Sequence, residues 1–376
     1  MAASLRIETG GTDVSSDVYS KMTSLDVEEN VDGPGSLLLR LPVTRNDSGD
    51  IAYVDDATFQ PLTNITVVVA PDSGNSSCIF DGYILSQKIH MESALSGSWL
   101  EVYAQDCTWL MSLEEKTREW ANVTDSNVAD TIFQEYGFTP GPDNDDDDSG
   151  AYTDDNHTLM QRGTDYDFLR GLARRAGRFF RVACDDTPGE RTGTFADPDL
   201  SGDPVATLRP NDANTPNVSQ LEFEWDVMRP TSVIAREALF TDSSEDGASG
   251  DTGDSGLSPL SDQDLPTFAG QPMTVILTTP ADDAGQLQRK AQAILVESQW
   301  FVKCTGEVDL SALQVVFRAG DIAAIETAGS TLSGSYLVWT VRHRITPDAH
   351  KMGLSMVSNS VGSSTSGGSQ LLGGLA

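Results

Sequence analysis

Lysine is scarce in this chain: six residues stand against eighteen arginines and 57 carboxylates over 376 positions. The formal net charge is −33, and nothing resembles a Lys/Arg stripe that could neutralise phosphates, so DNA binding through a basic face is disfavoured and no specific nucleic-acid binding is expected. Cysteine is also sparse. Cys78, Cys107, Cys184 and Cys304 lie far apart with no CxxC spacing, which argues against a zinc site and for four buried or free thiols. Long apolar runs are missing too. The longest aliphatic stretch, Ile65-Thr-Val-Val-Val-Ala70, is far too short to span a bilayer, so no membrane insertion is expected. The opening MAASLRIETGG has no apolar core of a signal peptide, and assembly in a host cytoplasm is the expectation.

Catalytic signatures are lacking as well. His90, His157, His343 and His350 form no HExxH or HxH and have no Cys partner in sequence; His343, between Arg342 and Arg344 on a strand, reads as a structural or interface histidine. There is no G-x-S-x-G and no G-x-x-x-x-G-K-[ST]. Carboxylate pairs cannot be singled out by counting, because 57 acids guarantee accidental ones. No catalytic or cofactor-binding residue is assigned, and a non-enzyme is expected.

The acidity has two readings. One is an acidic mesophile protein kept soluble by its charge. The other is a protein of a halophile, whose carboxylates hold water and cations while molar salt shortens the screening length to about 3 Å. Aspartate, 40 residues against 17 glutamates, is spread along the whole chain, which favours the second.

The rest of the composition is globular, 38% apolar and 7% aromatic. Up to about residue 112 the pattern is strands: Leu37–Leu41, Ile65–Ala70, Ile79–Met91 and Ser98–Met111, broken by turn clusters such as Asp32-Gly-Pro-Gly. Between 113 and 215 it changes. Val128, Ile132 and Tyr136 fall at helical spacing before Gly137. A second helix starts at a Thr164 or Asp165 cap, turns Phe168, Leu169, Leu172 and Ala176 inward, and ends at Gly177. From 216 to 361 strands return. Leu221, Phe223, Trp225 and Val227 alternate with acids as a half-buried strand, and one helix spans about Ala281–Gln299. Ser243–Asp264 is acidic and Ser/Gly-rich and is expected to be a disordered excursion; 362–376 is expected to be a flexible tail. The fold class is α+β, mainly β: two β-barrels, 1–112 and 216–361, with a small α/β domain inserted.

One acidic stretch has metal-loop spacing. Asp145, Asp147, Ser149, Gly150, Thr153 and Asn156 occupy the 1-3-5-6-9-12 positions of a calcium loop. Asn156 offers one oxygen where a bidentate Glu is wanted, and no helix clearly enters, so a solvated acidic loop is the better account.

Three stretches resemble the phage late-control D tail proteins and VgrG spikes. Leu159-Met-Gln-Arg-Gly-Thr-Asp-Tyr-Asp-Phe-Leu-Arg-Gly-Leu-Ala-Arg-Arg-Ala-Gly is similar to that family's Q-R-x-x-x-D-Y-x-F-L-x-x-L-A-x-x-x-G block. Val128–Gly137 resembles the helix before it. Phe317-Arg-Ala-Gly-Asp-Ile with Gly334-Ser-Tyr-Leu-Val-Trp-Thr-Val-Arg-His resembles the closing strands. The resemblance implies a homotrimeric baseplate hub of a contractile tail or injection system. Two tube-like barrels per subunit would form a pseudo-sixfold ring, joining a hexameric inner tube to a trimeric spike beside other baseplate (wedge) proteins. With no further barrel or β-helix after residue 361, the spike is expected to be a separate polypeptide. The alternatives are a tail-borne cell-wall hydrolase, for which the chain lacks an extra domain, and a stand-alone surface-binding module, which would lack the 159–180 block.

Overall fold

The computed structural model describes residues 3–362 apart from 46, 56–57, 94–96, 146–151, 153–157, 211, 238–247 and 280–283. Period-two alternation builds its first half. In Ser36–Pro42 the residues Leu37, Leu39 and Leu41 point inward and face Ala104, Val102 and Leu100 of the antiparallel Trp99–Asp106 strand. Ile7, Leu25, Val27, Val67 and Ile84 from neighbouring strands complete this core.

Two separate barrels were the expectation, and the structure differs. Among the described residues, strands from both ends of the chain form one thirteen-stranded sheet. Its order is Gln220–Trp225, Val302–Asp309, His350–Ser358, Gly334–Ile345, Ser24–Asn30, Ser36–Pro42, Trp99–Asp106, Ser77–His90, Asn64–Pro71 and Ala3–Thr9, ending at the short Thr12–Asp13 strand. No closed barrel is found among the described residues. The cause is the length of Gly334–Ile345. At twelve residues it is about twice a usual strand. Its start pairs with Ile322–Ile325 and its end, Thr340–Ile345, with Leu25–Asn30. A register shift at Val338/Thr340 against His350–Ser358 marks a bulge beside the point where it changes partners. The core of the second half gathers Val302, Cys304, Phe317, Val338, Val341 and Met356.

The insert has its own core of Phe133, Phe180, Phe195, Leu169 and Leu172. Thr124 and Thr164 cap its helices, Asp125–Glu135 and Asp165–Ala176, by accepting the backbone N–H groups of Asn127 and Asp167. Gly177 closes the second helix in the left-handed region at φ 76°. Ala173, which the sequence pattern passed over, is fully buried, while Phe168 and Ala176 are half-buried.

The segment expected to be a disordered excursion is tied down at points within 248–264, although most of its side chains there are exposed. Ser261 N–H donates to Ser360 Oγ (2.6 Å), Leu260 N–H donates to Asn359 Oδ1 (2.9 Å), and Gln263–Asp264 pairs with Ser360–Val361. Leu257 and Leu260 join Trp300, Leu337 and Trp339 in a small apolar cluster. Few apolar residues suffice because side-chain amides and hydroxyls satisfy the backbone; residues 243–247 lie outside the described part, as does the 363–376 tail. The segment links Ser232–Glu237 to Thr274–Thr279, a parallel pair backed on one face by the Ala284–Ser298 helix through Leu287, Ala291 and Leu295.

Candidate functional site

The two sheet halves and the insert meet around one guanidinium. Arg318, in the loop before Ile322–Ile325, reaches three partners. Its Nε lies 2.8 and 2.9 Å from the Glu29 carboxylate oxygens, Nη1 donates to Ser77 Oγ (3.2 Å), and Nη2 donates to the Cys184 carbonyl (3.0 Å). Its own N–H donates to Asp321 (2.7 Å), which fixes the loop. Burial works to raise the Glu29 carboxyl, but Arg318 and His343 more than offset it, so Glu29 stays below the ordinary carboxylate range. Burial likewise works against the Arg318 charge, and Glu29 more than compensates, raising its pKa. Arg181 of the insert donates to the Ala319 carbonyl and lies against Gly320, where a Cβ would come within 2.9 Å of its guanidinium.

Around this clamp lie two more buried acids. Asp81 takes a bidentate contact from Arg191 (3.0 and 2.9 Å) and the Gly189 N–H, tying the first half to the insert. Asp106 accepts from Gly35 N–H and from the backbone and hydroxyl of Thr108, yet burial dominates and pushes its carboxyl up to about 6. A cavity of about 30 Å³ lies between Glu29, Asp81, Asp106, Arg181 and Arg318, enough for a water or two. On the far side His343 Nδ1 sits 3.0 Å from His350 Nε2; burial, with His343 beside it, pushes His350 down to about 3.

The block that carried the resemblance has structural duties. Gln161 is buried, its Oε1 accepting from Trp120 Nε1 (3.2 Å) and its Nε2 donating to Asp165 (2.6 Å). Asp165 also binds Lys116 and the Tyr136 hydroxyl, both at 2.6 Å; burial and this carboxylate push the phenol up to about 12. Gly177 lies under the Ala284–Ser298 helix, where a Cβ would come within 3.0 Å of Ala293 Cα. None of these groups is poised as a nucleophile or base. The four cysteines are buried and free; Cys184 lies against the Cys78 carbonyl and its thiol is held well above the ordinary range.

The calcium-spaced residues Asp147, Ser149, Thr153 and Asn156, and the Asp145 side chain, lie outside the described part. Among the described residues no group of three or more His, Cys, Asp or Glu could hold a metal ion, and no helix is long and apolar enough to cross a membrane. The half-buried expectation for Gln220–Trp225 fails at its end. Trp225 is exposed, as are Met228 and Ile276, which are 78% and 74% accessible. Arg318, Glu29, Asp81 and Arg191 were not singled out from sequence. A signal existed for the first in Phe317-Arg-Ala-Gly-Asp, whose glycine and aspartate both serve the arginine's loop.

Solved structures share this architecture across almost the whole chain. A tail protein of Neisseria meningitidis MC58 superposes at TM-score 0.66 with 14% identity, covering 95% of this chain and 97% of its own. The 43 kDa tail protein of Shewanella oneidensis prophage MuSo2 gives 0.64 and 13%, covering 95% and 98%. An Escherichia coli type VI secretion component, described as structurally similar to the T4 bacteriophage tail proteins gp27 and gp5, gives 0.53 and 10%, covering 95% and 77%. The fold is thus that of phage-tail proteins: mostly β, with a large antiparallel sheet. A family model described as the Alg8 N-terminal domain matches residues 1–347, and the chain belongs to that family. No curated protein matches it.

Proposed function

We propose that this protein is a non-enzymatic hub subunit of a contractile tail or injection system, of the late-control D/VgrG type. The carrying observation is the pairing, in one chain, of two antiparallel half-sheets, each with its own apolar core, held edge to edge by Gly334–Ile345 and braced by the insert through Arg318 and Arg191. Each half-sheet, about 1–112 and 216–361, serves as one tube-like unit, with 113–215 as the insert. Three chains then present six such units, matching a hexameric inner tube on one side and a trimeric spike on the other, with wedge proteins outside. The similar fold of the Neisseria and Shewanella tail proteins supports this reading.

The −33 charge belongs to a halophile's particle in this reading, and it repels anionic cargo wherever carboxylates face the lumen. Electron microscopy of the native particle, with subunit stoichiometry from mass measurement, tests the assembly. Three copies in a ring between tube and spike are expected; six copies, or a monomer within an intact baseplate, overturn it.

A further inference from the structure

The two ends of the large sheet are treated differently. At one end the Ala3–Thr9 edge is blunted. The short Thr12–Asp13 strand folds onto it, Val14 N–H donates to the Ile7 carbonyl (3.0 Å), and the Tyr19 hydroxyl engages both Ile7 N–H (2.8 Å) and Ile7 O (3.3 Å). At the other end Gln220–Trp225 pairs with Val302–Asp309 and, among the described residues, with no strand on its outer side. An unpaired edge of this kind is a template for one more strand.

Beside that bare edge runs an open groove of about 440 Å³, lined by Leu221, Phe223, Ala328, Leu332 and Pro210. Leu221, Phe223 and Ala328 belong to the rim of the second core, so the groove is where that core remains uncovered. The chain itself arrives at this place. Gly362 N–H donates to the Thr331 carbonyl (3.0 Å), one residue from Leu332. The fourteen residues that follow, 363–376, therefore begin at the groove's rim.

Their composition fits the groove. They carry no charged side chain, whereas the bare strand presents Glu222 and Glu224 on the face opposite Leu221 and Phe223; side chains laid alongside then form no like-charge pairs. In an extended chain Leu371, Gly373 and Leu375 share one face, and Leu372 takes the other. A Gly/Ser-rich link of nine steps from Gly362 to Leu371 has a root-mean-square reach of about 15–18 Å, close to the roughly 17 Å length of the strand. The local concentration of the tethered segment is then on the order of millimolar.

We infer that residues 369–376 add to the Gln220–Trp225 edge of their own chain, with Leu371 and Leu375 in the groove. Hydrogen exchange read by mass spectrometry on the 219–226 segment tests this, comparing the full chain with one ending at Gly362. Exchange of the outward amides is expected to be at least tenfold slower in the full chain. Within the full chain, L371D/L375D should abolish that protection and L372D should retain it, a contrast that holds even if the shortened chain folds poorly. A synthetic peptide of residues 363–376 should restore protection to the shortened chain. Equal exchange in all chains overturns the proposal. So does protection that fades on dilution together with loss of a dimer mass, because it places a neighbouring copy's segment on the edge. The outcome is independent of how many subunits form a ring.

Discussion

Glu29 and Arg318 are 289 residues apart in the chain, and the single Arg318 Nε–H is shared between both Glu29 carboxylate oxygens at 2.8 and 2.9 Å where the two sheet halves and the insert converge. Because both groups are largely desolvated, the pair matters most through what its loss would leave behind. Glu29→Gln strands a buried guanidinium and is expected to lower unfolding stability by about 3–5 kcal/mol in urea titrations. The double variant E29M/R318M should lose clearly less than E29Q alone. A single-variant loss below about 1 kcal/mol would mean that the contact does not hold the junction.

Gly177 is a second point of convergence, where one helix ends under another. Gly177→Ala forces a left-handed alanine and brings its Cβ to about 3.0 Å from Ala293 Cα, a cost of about 1–3 kcal/mol. Thermal unfolding of the variant measures it. An unchanged midpoint would show that the helices separate freely.

The histidine pair predicts a pH response with a definite sign. His350 is about 3 in the folded chain and near 6.5 when unfolded, so the unfolded state takes up the proton first as pH falls. The stability present above pH 6.5 is therefore lost on acidification towards pH 3. Asp106 acts in the opposite direction: at about 6 instead of 3.8, it favours the fold below 3.8 and loses that contribution as pH rises through 6. Comparing variants separates the two. Between pH 7 and pH 5, His350→Gln should reduce the acid-induced loss by about 2 kcal/mol relative to the parent chain. Parallel pH profiles would count against a neutral, buried His350.

Salt tests the origin of the acidity. Raising potassium chloride from about 0.1 M to 3 M takes the screening length to about 3 Å or less. A melting midpoint that climbs through that whole range, with loosening at the dilute end, is expected of a halophile protein. A flat response in a chain already stable in dilute buffer would assign the charge to solubility or, in the proposed ring, to repulsion of anionic cargo.

Local patterns were the legible part of this fold. Leu37, Leu39 and Leu41 alternate because one sheet face is buried, and Thr164 and Gly177 bracket a helix with side-chain and backbone chemistry that sequence displays directly. The union of the halves was not legible. Pairing Leu25–Asn30 with Thr340–Ile345 depends on which partners one long strand finds on its two flanks, and nothing in either segment names the other. The order in 248–264 escaped notice for a related reason: it rests on Asn359 and Ser360, a hundred residues away, more than on local apolar content. The Phe317-Arg-Ala-Gly-Asp motif marked Arg318 only as part of a loop; its role as a clamp comes from the three segments it touches.

The shared strand also imposes an order on synthesis. Asn30 meets Thr340 across 310 residues, so the Ser24–Asn30 edge emerges from the ribosome long before its partner exists. At about 5–20 residues per second that interval is roughly 15–60 s. Throughout it, the N-terminal sheet offers an unmatched flank to every neighbouring nascent chain, and the match in Thr340–Ile345 arrives only 310 residues later.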